Sequence, residues 1–232
     1  MMFAYEPAKL STCHRWLEVD LRDPHDTLGW TIIGGGRGRA ENVFWHSVGG
    51  SELPPEVDPR RLFEDRRRER AGDIRGVGFL TGCALAEFVE TKKAHGTLSA
   101  RCIATVGLRN AVRIGDPPSA AVSPGTINIL LQTSSPLSEC ASIEALSLVA
   151  EARTLAVLEA RVTDVAGHAP ATGTGTDCIV VASPLPSRGD AGLIYAGKHT
   201  VLGHLIGCCV YDAVSRGIGS RSQVTSSREQ PA

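Results

Sequence analysis

Hydrophobic and polar residues follow two different periods along the chain, which predicts strands mixed with a few helices. Short apolar or alternating runs are typical of β-strands, and they occupy residues 30–33, 42–48, 76–80, 97–108, 126–133 and 178–182. Helical spacing of apolar residues predicts helices over residues 84–93, 138–159 and 199–216. The charge run at residues 60–70 contains six arginines and three acids, which indicates a solvent-exposed helix.

These elements alternate without forming a regular β-α-β series. We therefore expect an α/β or α+β fold in which a single layered domain has a mixed sheet flanked by helices. This domain is expected to span residues 29–217, with Gly217 ending the last helix. Residues 1–28 form a weakly patterned N-terminal segment, and residues 218–232 are expected to be a disordered tail because they are rich in Ser, Arg and Gln.

Composition narrows the functional classes. Hydrophobic residues make up 42% of the chain and charged residues 21%, which is enough to build a core. The net charge of −1 gives no electrostatic case for binding nucleic acid or an anionic membrane. No stretch approaches the ~18 apolar residues of a membrane span, and the start carries no apolar run of signal length, so we expect a cytoplasmic protein.

The cysteines do not suggest a metal or disulfide framework. Their number, seven, is odd, and none of them forms a CxxC pair. They are expected to be reduced thiols, most of them buried as small hydrophobic residues. We expect neither a cofactor nor a metal, and the sequence leaves homo-oligomerisation open.

The loop at residues 172–177 has the most suggestive chemistry. Three threonines and two glycines stand directly before a strand and end on the carboxylate of Asp177. Thr174 and Thr176 could form an oxyanion hole, and Asp177 could orient a base or activate water. The alternative is a turn whose threonines cap the backbone.

Three other sites in the sequence each allow both a functional and a structural interpretation. His199 lies at the start of the last helix, where it could act as a base near neutral pH or simply be a surface residue. The glycines Gly34, Gly35 and Gly36 could let a ligand approach the backbone, or could form a hairpin turn. Asn128 lies within an apolar run, so its amide must satisfy backbone groups or point at a ligand.

Residues 23–29 come close to a signature in which a histidine ligates the cobalt of a corrinoid. That signature is D-x-H-x-x-G, and here the glycine comes one residue too late. A Rossmann-like series of strands and helices does not follow it either. We therefore expect a solvent-exposed loop around His25.

The order of these motifs resembles the adenosylcobinamide amidohydrolases of archaea and bacteria. The resemblance covers residues 29–216 and rests on the segments GGG, GTINIL, EARTLAVLEA, TGTGTDCIVVA and YAGKHTVLGHLIGCCVYDAV. It implies a corrinoid-salvage enzyme that hydrolyses the amide linking aminopropanol to the corrin ring of adenosylcobinamide. The product, adenosylcobyric acid, would re-enter coenzyme B12 assembly.

The resemblance and the residue chemistry together give a set of candidate site residues. Catalytic roles are predicted for Asp177, His199, Thr174 and Thr176, and substrate binding for Gly34, Gly35, Gly36, Thr126, Asn128, Glu151 and Thr200. We expect Asp177 and His199 to meet across one pocket, within reach of a hydrogen bond or of one bridging water. His204 stands where some relatives are expected to have an acid, so it receives no role.

Two alternatives stay open at this point. Thr126 could be a nucleophile exposed by self-cleavage after Gly125. The chain could also be a corrinoid- or nucleotide-binding module that leaves its ligand unchanged.

Overall fold

A computed structural model describes residues 9–13, 15–54, 56–70, 76–117, 125–167 and 169–228. Within these residues the chain forms ten strands and three α-helices. The strands are β1 (Lys9–Cys13), β2 (Trp16–Trp30), β3 (Gly36–Ser47), β4 (Val77–Thr81), β5 (Val89–His95), β6 (Leu98–Val106), β7 (Ala111–Val112), β8 (Ile127–Thr133), β9 (Gly173–Thr174) and β10 (Cys178–Pro184). The helices are α1 (Pro59–Glu69), α2 (Glu139–Glu159) and α3 (Val201–Arg228).

Eight of the strands form one mixed sheet. Seven run in the order β4-β3-β2-β10-β8-β6-β5, and β1 pairs with β2. The β8/β10 and β3/β4 pairs are parallel, whereas the other pairs are antiparallel. The two remaining strands, β7 and β9, pair with each other. This arrangement confirms the predicted mixed sheet flanked by helices, in a single domain of the α+β class.

The β8-α2-β10 crossover organises the helical side of the sheet. Ser138 begins α2 as its N-cap, and its hydroxyl accepts a hydrogen bond from the Ala141 amide at 3.2 Å. The buried side of α2 is rich in alanine, which lets the helix approach the sheet closely. Together with α3 it covers the apolar face that includes Ile129 and Val181.

The opposite face of β6, β8 and β10 is covered by the sheet itself. The register of β2 shifts between Asp20 and His25, so the strand bends. Its first half then packs with β3 and β4 over the outer face of β6, β8 and β10. The resulting core contains Leu17, Val43, Trp45, Phe79, Ile103, Leu130 and Val180.

Several boundaries differ from the sequence prediction. The helix expected over residues 84–93 is wrong, because a short 3-10 turn at Leu85–Glu87 leads into strand β5. The run predicted at residues 30–33 is also wrong as a strand of its own, since β2 ends at Trp30. The weakly patterned segment before residue 29 contains β1 and most of β2, an interior strand of the sheet.

Two further expectations fail for packing reasons. His25 does not lie in a solvent loop; it lies in β2 with 2% of its surface exposed. Gly217 does not end α3, which continues to Arg228 through part of the expected disordered tail. A Cβ atom at Gly217 would lie 2.5 Å from Val106 Cγ2, so the glycine serves close packing on the sheet. Residues 229–232 lie outside the described residues.

A buried histidine on β3 predicts a loss of stability in acid. His46 is 3% exposed, and burial together with the charge of Arg15 lowers its pKa from 6.5 to about 4. Between these values the unfolded chain binds a proton that the folded chain does not, so the free energy of unfolding falls as the pH drops through this window. The loss is at most about 3 kcal/mol.

Urea denaturation at pH 7.5 and pH 5 checks this, with His46→Leu compared with wild type. The variant should lose less stability on acidification, although burial also lowers the pKa of His25 and leaves part of the effect. Replacement of the exposed His95 by Leu is the matched control and should behave as wild type. If His46→Leu lost as much unfolding free energy as wild type between pH 7.5 and pH 5, His46 would not be a source of the acid sensitivity.

Candidate active site

The carboxylate of Asp177 anchors the loop at residues 172–177. Its Oδ1 accepts the Ile127 amide at 3.1 Å and the Thr174 hydroxyl, and its Oδ2 accepts the Thr174 amide at 3.0 Å. Oδ2 also forms an ion pair with Arg153 of α2. The Asp177 side chain is only 6% exposed. Four donors converge on one buried carboxylate, so Asp177 holds the loop against α2 and β8.

The threonines around Asp177 differ in whether their hydroxyls already donate a hydrogen bond within the protein. The Thr174 hydroxyl is donated to Asp177, and the Thr126 hydroxyl is donated to the Thr176 carbonyl at 2.7 Å. Thr176 is exposed, and its hydroxyl accepts a hydrogen bond from Asn110 at 3.4 Å. The structure therefore brings Thr126, Thr174, Thr176 and Asp177 together, and Thr176 offers the most accessible hydroxyl.

Gly34 and Gly35 lie in the turn between β2 and β3, and Gly36 is the first residue of β3. Gly34 and Gly36 have φ values of 74° and 87°, which glycine adopts without strain. The Trp30 indole at the end of β2 donates to the Asp177 carbonyl at 2.6 Å, which fixes the hairpin beside the loop. The hairpin interpretation is thus correct, and a ligand-binding role for the glycines stays a prediction.

Asn128 satisfies a backbone group. Its side chain is fully buried, and its Nδ2 donates to the Leu80 carbonyl at 2.7 Å, which ties β8 to β4. Its Oδ1 has no hydrogen-bond partner among the described residues. The amide has no contact with solvent, and a substrate-binding role for Asn128 stays a prediction.

The segment leading into α3 lies along the outside of α2. The Ala196 amide donates to Glu144 of α2 at 2.6 Å, and Lys198 forms an ion pair with Glu151. The Thr200 hydroxyl accepts the Gly203 amide at 2.9 Å, which makes Thr200 a helix cap. His199 directly precedes this cap, is exposed, and makes no hydrogen bond with any described residue.

The predicted hydrogen bond between Asp177 and His199 is absent. The Asp177 carboxylate is occupied by Arg153, Thr174 and Ile127. Asp177 precedes the first residue of β10, whereas His199 follows a segment that hydrogen-bonds to Pro136 and Ser138, beyond the last residue of β8. Because β8 and β10 are parallel, Asp177 and residues 193–194 lie at opposite ends of these strands. His199 comes later in the chain, where its neighbour Lys198 is held at Glu151 of α2.

A cleft of about 370 Å³ lies between the β2–β3 hairpin and the first turn of α2. Two ion pairs lie at it, Arg39 with Asp26 at 3.0 Å and Arg37 with Glu139 at 3.5 Å. Leu28, Val181 and Ser183 are also among its lining residues. Sequence reasoning missed this cleft because its residues come from separate stretches of the chain.

The family model described as adenosylcobinamide amidohydrolase matches residues 4–226. The chain belongs to the adenosylcobinamide amidohydrolase family. A relative that bears this name, from Methanosarcina mazei, is 27% identical over 199 residues, covering 83% of this chain and 90% of that protein. An uncharacterized protein of Methanocaldococcus jannaschii is 27% identical over 164 residues, covering 62% and 63% of the two chains.

A crystal structure of a Pyrococcus horikoshii protein is also similar, with a TM-score of 0.39 and 11% identity. The similarity covers 92% of this chain and 78% of that one, and it carries no argument about function. No helix in the described part of this amidohydrolase-family chain is long and apolar enough to cross a membrane. Its described residues likewise contain no group of three or more side chains arranged to hold a metal ion.

Arg153 is the contact residue that sequence reasoning missed in this family member. It is the only basic residue of α2, whose other charged residues are all glutamates. A single arginine in such a helix is a signal that a carboxylate lies opposite. Its side chain is 14% exposed, so its charge depends on Asp177 for compensation.

Replacing Asp177 by Asn tests whether the carboxylate stabilises the loop. The variant leaves Arg153 without its buried counter-charge, so unfolding should become easier by roughly 3 kcal/mol. Urea denaturation measures the change. The control is Asp190→Asn at an exposed position, where the new amide oxygen can still accept the hydrogen bond from the Gly192 amide. An unchanged stability together with a roughly 100-fold fall in kcat would contradict this role and support the predicted catalytic one.

Proposed function

We propose that this protein hydrolyses the amide between aminopropanol and the corrin ring of adenosylcobinamide. Water would add to the carbonyl carbon, the C–N bond would break, and the amine would leave with a proton. The products are adenosylcobyric acid and 1-amino-2-propanol. The observation that carries this proposal is the family match over residues 4–226, nearly the whole chain.

His199 is our candidate for activating the water. Its ring is exposed, is not engaged by any described residue, and is held in place by its neighbours. Lys198 is tied to Glu151, and Thr200 caps α3. A free imidazole on a fixed backbone is what general acid–base catalysis requires. Glu151 and Thr200, predicted to bind substrate, would then position the His199 segment.

Large exposed apolar side chains at the start of α2 and in the segment before His199 support this location. Ile143 of α2 is 55% exposed, and Ile194 and Tyr195 are 59% and 63% exposed. The Ile194 carbonyl lies 3.4 Å from the Ser138 hydroxyl, so the segment carrying Ile194 and Tyr195 adjoins the start of α2. Exposed apolar clusters mark binding surfaces, and a flat macrocycle such as a corrin ring has the shape to cover one.

The exposed hydroxyl of Thr176 defines the alternative location. It lies at the other end of β10, beside Trp30, whose side chain is 43% exposed. Thr176 remains the candidate oxyanion donor there, whereas the Thr174 hydroxyl is already donated to Asp177. We favour the outer side of α2, because the segment carrying the free imidazole of His199 lies along it, and the exposed apolar residues and the cleft lie at its start.

Purified protein should convert adenosylcobinamide to adenosylcobyric acid over time without ATP. The sequence has no Walker A motif, and amide hydrolysis in water is downhill, so no nucleotide is needed. Chromatography of the corrinoids and detection of free 1-amino-2-propanol measure the reaction. Recovery of bound but unchanged corrinoid across a range of pH would instead show a binding module.

His199→Ala should lower kcat by roughly 100-fold or more, as expected for loss of a general base. Its thermal stability should stay at the wild-type value, because the ring is exposed and unengaged. His95→Ala, which removes another exposed histidine, is the matched control and should keep full activity. A His199→Ala enzyme with wild-type kcat would exclude this residue from the chemistry.

A further inference from the structure

We propose that the cleft between the β2–β3 hairpin and the first turn of α2 binds a neutral carboxamide side chain from the rim of the corrinoid. This inference rests on the proposed function, since it takes a corrinoid as the ligand. It concerns residues to which the motifs assign no role. The cleft volume of about 370 Å³ has room for a side chain of such a ligand and is too small for the whole macrocycle.

The charges in the cleft match the chemistry of an amide. A carboxamide presents a carbonyl oxygen that accepts and N–H groups that donate. Arg39 and Arg37 supply donors, and their partners Asp26 and Glu139 supply acceptors, so each ion pair offers both. The four side chains are between 45% and 69% exposed, which leaves them available to a ligand.

The balance of these charges also selects against an anion. Two guanidinium groups alone would favour a phosphate or a carboxylate. Here each guanidinium is accompanied by a carboxylate, which would repel a negatively charged group entering the same space. Leu28 and Val181 contribute an apolar lining suited to the methylene groups of an amide side chain.

The position of the cleft agrees with the surface proposed for the ring. Glu139 lies in the first turn of α2, and Ile143 follows one turn later. A macrocycle lying over Ile143, Ile194 and Tyr195 would therefore have the cleft at its rim. One side chain in the cleft would fix the rotation of the ring and thereby which of its amides faces His199.

Equilibrium binding of cobinamide, followed by its visible absorption, tests the assignment without relying on turnover. Arg37→Met and Arg39→Met should each weaken binding about tenfold, as expected for losing a hydrogen bond from a charged group. In the hydrolysis assay they should raise KM more than they lower kcat. Arg68→Met is the matched control, because Arg68 is similarly exposed (71%) and ion-paired with Asp65 on α1.

A second variant tests the charge argument. Asp26→Asn combined with Glu139→Gln leaves the cleft positive, so it should bind cobyrinic acid, whose side chains are carboxylates, about tenfold more tightly than wild type does. One possible result is that the wild type hydrolyses adenosylcobinamide while all these variants bind both corrinoids as tightly as it does. That result would overturn the cleft assignment and leave the proposed function standing. A wild type that binds no corrinoid would overturn the proposed function and the cleft with it.

Discussion

The buried ion pair between Arg153 and Asp177 is the interaction on which the arrangement of this fold depends. It joins α2 to the residue that precedes β10, and the same carboxylate accepts the amide of Ile127 at the start of β8. The three parts of the β8-α2-β10 crossover are thus held at a single carboxylate. Since a buried charge without its partner is costly, the pair fixes the position of α2 relative to the sheet.

Once α2 is fixed, it positions the groups proposed to act on substrate. Its acids Glu144 and Glu151 hold the segment that carries His199, through the Ala196 amide and Lys198. Its first turn supplies Glu139 to the cleft. One helix therefore contacts both the loop at residues 172–177, through Arg153, and the proposed site, through residues of its first two-thirds.

The sequence predicted the central crossover well. The positions of β8 and β10 follow from short apolar runs, and that of α2 follows from helical spacing and from Ser138, whose capping role the structure confirms. The prediction failed where tertiary contacts override local pattern. The helix predicted over residues 84–93 is replaced from Val89 onward by an edge strand, because Val89 and Thr91 pack against α3.

The candidate site was predicted only in part. Sequence order suggested that the loop carrying Asp177 would meet the start of α3, but the Asp177 carboxylate is occupied by Arg153, Thr174 and Ile127. The cleft could not be predicted, because Asp26, Arg37 and Glu139 come together only through the β2–β3 hairpin and the crossover helix. Short sequence motifs do not predict contacts between residues that are far apart in the chain.

A crystal structure of the protein with cobinamide bound tests the central claim most directly, namely that the start of α2 is where the corrinoid is held. The account predicts a macrocycle over Ile143, Ile194 and Tyr195, with one carboxamide side chain between Arg37 and Arg39. A macrocycle bound instead beside Trp30 and Thr176, at the amino-terminal end of β10, would contradict it.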